Sequence, residues 1–170
     1  MTAIHGTVDP DFLPVAEAFA ANFAAQPEPG AAVAVYVGGR KAVDLWAGIA
    51  DRSAGMLWRA DTRALVFSVS KGAVALCLGK LADEGIVALD APVATYWPEF
   101  ARNGKARITV RQLLSHQAGL VAVDRVMTRA QLLEGTAVLD ALVEQAPVWE
   151  PGSGHAYHPI TFGFLAGEVL

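Results

Sequence analysis

Cysteine, charge and long apolar runs are all scarce in this chain of 170 residues. Cys77 is the only cysteine, which excludes an intrachain disulfide framework and any Cys-x-x-Cys metal cluster. Set among alanine and leucine in a helical stretch, it reads as a plain buried thiol. Charged residues make up only 18% of the chain, and the net charge is -4. The lysines and arginines are scattered without a basic run, so nothing offers a footprint for nucleic acid or an anionic membrane. No stretch approaches the ~18 consecutive apolar residues of a membrane span. The opening "MTAIHGTVDPDF" has neither the charged start nor the apolar run of a secretion signal. These absences predict a cytoplasmic protein that acts on small molecules.

What the chain does have is apolar surface to bury: 54% of its residues are hydrophobic, enough for a real core at this length. From Asp9 to Gln26 the residues Phe12, Val15, Ala16, Phe19 and Phe23 recur near a helical period, and Pro27, Pro29 and Gly30 close the run. The segments "AAVAVYV" and "KAVDLWAGIA" flank Gly38, Gly39 and Arg40, a hairpin signal. A helix is expected over Ser68 to Glu84, stopped by Gly85. Thr109 caps a shorter one, Thr128 to Gln145 reads as one or two helices around Gly135, and a last helix follows Pro159. It has no stop signal before Leu170.

The sharpest chemical feature is "VFSVSKGAVALCLGKLADEG", where Ser68 stands three residues before Lys71. That spacing puts hydroxyl and amine on one helix face. A serine is a poor nucleophile until a base takes its proton, and a lysine in apolar surroundings is a base of that kind. At a helix start Ser68 also has a free backbone N–H for an oxyanion. An N-cap serine followed by a solvated lysine would have the same spacing.

A second cluster is "WEPGSGHAYHPITFGFLAGE", with Tyr157 on a loop before a helix. There a tyrosine either packs with its hydroxyl in water or, near a lysine, relays protons. His155 and His158 have a spacing seen in zinc sites, but Asp124, Glu150 and His116 do not complete a metal motif. His116, in "QLLSHQAGL", falls where a helix ends, and its ring is expected to cap or tie that turn.

Together these stretches resemble the serine β-lactamase and penicillin-binding-protein superfamily, and most closely its class C-like branch of family VIII carboxylesterases. The likeness rests on "FSVSKG" as the Ser-x-x-Lys motif, "ITVRQLLSHQAGL", the Trp-Glu-Pro-Gly run at Trp149, and "AYHPITFGFLAGE". "LADEGIVALDAPVATYWPEF" is similar to the family's link between the first two motifs. The resemblance implies an α+β fold, β-lactamase/transpeptidase-like, with a mixed domain on an antiparallel sheet, a helical region, and the C-terminal strands missing. It implies one partial domain over 1–170: opening helix, hairpin and nucleophile helix over 9–87, the helical region over 88–149, and the tyrosine motif with the next helix over 150–170.

By the same resemblance Ser68 is the acyl-accepting nucleophile, Lys71 its proton partner, and Tyr157 a general base and acid. No cofactor and no metal are implied. The activity implied is a serine hydrolase acting on carboxylic esters through an acyl-serine intermediate. The alternatives are a truncated, non-catalytic fragment serving as an interaction module, and a β-lactamase or D-amino-acid peptidase. Two departures weigh on the choice. Tyr157 is followed by His158 and Pro159 where lactamases read Tyr-x-Asn, which favours an esterase. The family's third motif, a Lys-Thr-Gly or similar strand that gives a second oxyanion donor, is not found. The expected partner is therefore a small-molecule ester or amide, with neither nucleic acid nor membrane. The hairpin's need for further strands points to self-association or a complementing chain.

Overall fold

The computed structural model describes residues 2–25 and 27–170, and its contacts divide into two compact units, 1–65 and 66–170. In the first, the hairpin of β2 (Gly30–Val37) and β3 (Arg40–Asp51) forms as expected. Gly38 and Gly39, both at positive φ (56° and 78°), supply the two-residue turn whose twist matches the strands. The sheet has two further strands beyond the expected hairpin. β1 (Ile4–Val8) pairs antiparallel with β3, and the short β4 (Met56–Leu57) joins β3 beyond it.

β3 is thus the central strand, and its alternation decides the packing. Val43, Leu45 and Ala47 lie on one face and form a core with Phe19, packed by Phe12, Val15, Ala16 and Phe23. Those last residues bring α1 (Leu13–Ala25), entered through a 3-10 turn at Pro10–Phe12, against that core. The expected helix end at Gln26 lies outside the described residues.

The second unit holds the larger core. α2 (Ser70–Asp83) turns Leu78, flanked by Val74 and Leu81, into a cluster with Val93, Phe100, Ile108, Leu113, Leu120, Leu142, Phe162 and Leu165. Cys77 lies off that stripe and is exposed. The expectation of a buried thiol is therefore corrected: the helix has one buried side, and the cysteine is not on it.

Thr109 caps α3 (Val110–Leu114) and Thr128 caps α4 (Arg129–Glu134), each as a full capping box completed by Gln112 and Gln131. Gly135 (φ 91°) separates α4 from α5 (Thr136–Glu144), so the ambiguous 128–145 stretch is two helices. Lys105 is fully buried, yet its ammonium donates to the Val143 and Gln145 carbonyls (2.8 and 2.5 Å) at the end of α5. A cation there satisfies carbonyls the helix leaves open. α6 (Thr161–Gly167) follows the tyrosine loop, with Phe162, Leu165 and Ala166 buried. No described helix is long and apolar enough to cross a membrane.

Candidate active site

Ser68, Lys71 and Tyr157 all lie in the second unit. Ser68 is not inside the α-helix, as its spacing suggested, but in a single 3-10 turn, Phe67–Val69, that leads into α2. The difference is local geometry. Phe67 has φ 43°, a value that a bulky side chain rarely adopts, so the chain enters the helix through a bent step. The turn leaves the Ser68 hydroxyl exposed and, as at any helical start, its early N–H groups without intrahelical partners.

Lys71, one residue into α2, joins the parts. Its Nζ lies 3.1 Å from Ser68 Oγ and donates to the Pro159 carbonyl at 2.8 Å. It stands 4.9 Å from the centre of the Tyr157 ring and 5.8 Å from that of Phe162. Hydrogen bonding from Lys71, and next from Ser68, holds the Tyr157 phenol below its ordinary value of 10.0. The three residues singled out from the sequence therefore share one site, although 86 positions of sequence separate Lys71 from Tyr157.

The tyrosine loop is tied to the turn after α3. Ala156 N–H donates to the His116 carbonyl (3.3 Å) and His158 N–H to His116 Nδ1 (3.1 Å). Leu120 N–H donates to His158 Nε2 (3.0 Å), and the Thr161 hydroxyl to the Leu120 carbonyl (2.6 Å). His116 thus ties its turn, as its position at a helix end suggests. His158 is 1% exposed, with both ring nitrogens engaged, the second on the Ala156 carbonyl at 2.7 Å. Its burial was not legible from its spacing to His155. Among the described residues no group of three or more His, Cys, Asp or Glu side chains is placed to hold a metal ion.

The chain is similar to known proteins over most of its length. The chain is 43% identical over 162 residues to Esterase/beta-lactamase LipL of Mycobacterium tuberculosis, covering 95% of this chain and 37% of that protein. It is 35% identical over 127 residues to Esterase EstB of Burkholderia gladioli, covering 65% of this chain and 32% of that protein. It therefore spans about a third of the length of these curated relatives. Among solved structures, a family VIII carboxylesterase superposes with a TM-score of 0.91 at 44% identity, over 98% of this chain and 45% of that one. A penicillin-binding protein homolog from Caulobacter crescentus gives 0.93 at 42% identity, over 99% and 45%. The fold is thus β-lactamase/transpeptidase-like, as the motifs imply. The β-lactamase family model matches residues 17–170, and this chain belongs to the β-lactamase family.

Proposed function

We propose that the chain carries the nucleophilic machinery of a serine hydrolase acting on carboxylic esters through an acyl-Ser68 intermediate. The observation that carries this reading is the placement of Lys71 Nζ between Ser68 Oγ and the Pro159 carbonyl, beside Tyr157. Because the lysine spends donors on both oxygens, the proton of Ser68 goes to Tyr157. Ser68 Oγ adds to the ester carbonyl carbon as its proton passes to Tyr157, which reacts as the phenolate favoured by Lys71, and the developing oxyanion faces the Ser68 N–H. Collapse breaks the bond to the alkoxy group, which takes the proton from Tyr157 and leaves as the alcohol. Water then adds to the acyl carbon, giving a proton to Tyr157. The second collapse returns that proton to Ser68 Oγ and releases the acid.

Ester rather than lactam substrates follow from the flank of the site. His158 is buried with both ring nitrogens engaged, and Pro159 has no side-chain amide. Neither offers the cleft a polar group to hold the amide side chain of a β-lactam. EstB is named an esterase and LipL an esterase/beta-lactamase, and ester hydrolysis is the activity their names share.

Intact-mass spectrometry after incubation with a fluorophosphonate tests the nucleophile. The expected result is one phosphonyl adduct, absent in Ser68→Ala. An adduct on another serine, or one surviving in the variant, would overturn the assignment. p-Nitrophenyl butyrate is expected to be turned over in preference to nitrocefin, and the reverse order would overturn the substrate class.

A further inference from the structure

Two helices of the second unit end in the same hydrogen-bonded turn with different residues at its left-handed position. At the end of α2, Ile86 N–H reaches the Leu81 carbonyl (2.9 Å) and Gly85 N–H the Ala82 carbonyl (3.1 Å), with Gly85 at φ 73°. At the end of α3, Gln117 N–H reaches the Gln112 carbonyl (2.8 Å) and His116 N–H the Leu113 carbonyl (3.1 Å). Here the left-handed residue is His116, at φ 61°. Glycine takes this position without steric penalty, whereas a residue with a Cβ is strained in it. What His116 has that glycine lacks at this position is a ring.

What the ring does is accept the His158 N–H, while the His158 ring accepts the Leu120 N–H. The two segments are stitched in both directions, each by an imidazole lone pair. Between the stitched points lie Tyr157, flanked by Ala156 and His158, and the Pro159 carbonyl that receives Lys71. We propose that His116 and His158 form a two-imidazole clasp that positions Tyr157 and the Pro159 carbonyl against Lys71, and that opens when either ring takes a second proton. This rests on the roles given above to Tyr157 and Lys71.

The chemistry of the clasp requires both rings neutral. His116 must carry its proton on Nε2, because Nδ1 accepts. His158 must carry its proton on Nδ1, which faces the Ala156 carbonyl, because Nε2 accepts. A second proton would sit on each accepting nitrogen and turn it against an N–H donor. The titratable groups facing the rings are Lys71 from α2 and His155 and Tyr157 from the loop. α6 and the segment before the loop present Phe162 and Trp149. None of these is a carboxylate, so a charged ring would find no counter-ion among them. Burial first, and then His158, His155 and Lys71, hold His116 below 6.5. Burial also lowers His158, opposed by its bond to the Ala156 carbonyl. With folded values below the unfolded ones, the clasp is complete above about pH 6.5 and is lost as pH falls from there through the lowered folded values.

Two readouts on the full chain separate the clasp from the chemistry. The first is nitrogen NMR of the rings with amide exchange of Leu120 and His158, expressed as protection factors from about pH 7.5 to 4.5. The expected result is the two stated tautomers, with Leu120 protection falling up to about tenfold per pH unit below 6.5. In His158→Gln the side-chain oxygen replaces the accepting nitrogen and takes no proton. Leu120 protection is then expected to persist and to keep only the weaker pH dependence that protonation of His116 contributes. The second readout is the rate of fluorophosphonate labelling of Ser68. His116→Gly relieves the strained backbone but removes the acceptor, and it is expected to lower both His158 protection and labelling by roughly tenfold.

Leu120 protection independent of pH in the native chain, or His116→Gly labelling at the native rate, would overturn the clasp. If either variant fails to fold, the native titration decides by itself. If native Ser68 does not label at any pH, the hydrolase reading falls, and the exchange data still decide the clasp.

Discussion

Tyr157 is the residue whose chemistry depends most on its neighbours. Phenols are poor bases near neutrality, and the ordinary value of 10.0 leaves little phenolate there. Lys71 and Ser68 together favour the charged form and so lower that value. If Tyr157 takes the serine proton, labelling of Ser68 should rise with pH along a limb whose midpoint lies below 10. Tyr157→Phe should remove the limb and slow labelling by about 100- to 10,000-fold, the usual worth of a positioned proton acceptor. Rates measured between about pH 6.5 and 9.5 check this, and an unchanged limb in the variant would move the role to another group.

At the scale of elements, the short helices depend on their ends. α3 has five residues, too few to hold together by internal hydrogen bonds. Its start is fixed by Thr109, whose hydroxyl accepts from Gln112 N–H (3.1 Å) while the Gln112 side chain accepts from Thr109 N–H (3.0 Å). Its end is fixed by the turn at His116. This helix sets where His116 points, so its cap bears on the tyrosine loop as well as on stability. Thr109→Ala is expected to destabilise the chain by about 1 kcal/mol, read from the midpoint of urea unfolding. Thr109→Ser, which keeps the acceptor, is expected to restore most of the loss.

Across the whole molecule, apolar burial is unevenly shared. Among the described residues, the cluster in 66–170 contains sixteen buried residues, whereas that in 1–65 contains four. Apolar burial contributes on the order of 25 cal/mol per Å², so the slowest opening should belong to the larger cluster. Hydrogen exchange with peptide-level mass spectrometry is expected to find the strongest protection in α2, α5 and α6. Protection in β2 and β3 should be lost at lower urea. Equal protection in both would show that buried area alone does not set the order.

Much of this protein follows from its sequence alone. The hairpin is local because glycines at 38 and 39 meet the turn's backbone requirement, and the Thr109 cap is local because its partner stands three residues away. The Ser68 and Lys71 pair is local for the same reason, since one helical turn brings i and i+3 together. The motifs as a set implied the family. Other features needed the folded chain. β1 and β4 are too short and too weakly alternating to declare themselves, and they become strands only by completing hydrogen bonds along β3. Cys77 is exposed because α2 buries the stripe of Val74, Leu78 and Leu81, a choice made by the packing of other helices. From its spacing to His155, His158 reads as half of a metal pair. Its partners, Leu120 and His116, lie 38 and 42 positions away. Only the tertiary structure closes such distances, because hydrogen bonds between remote segments require the core that brings those segments together.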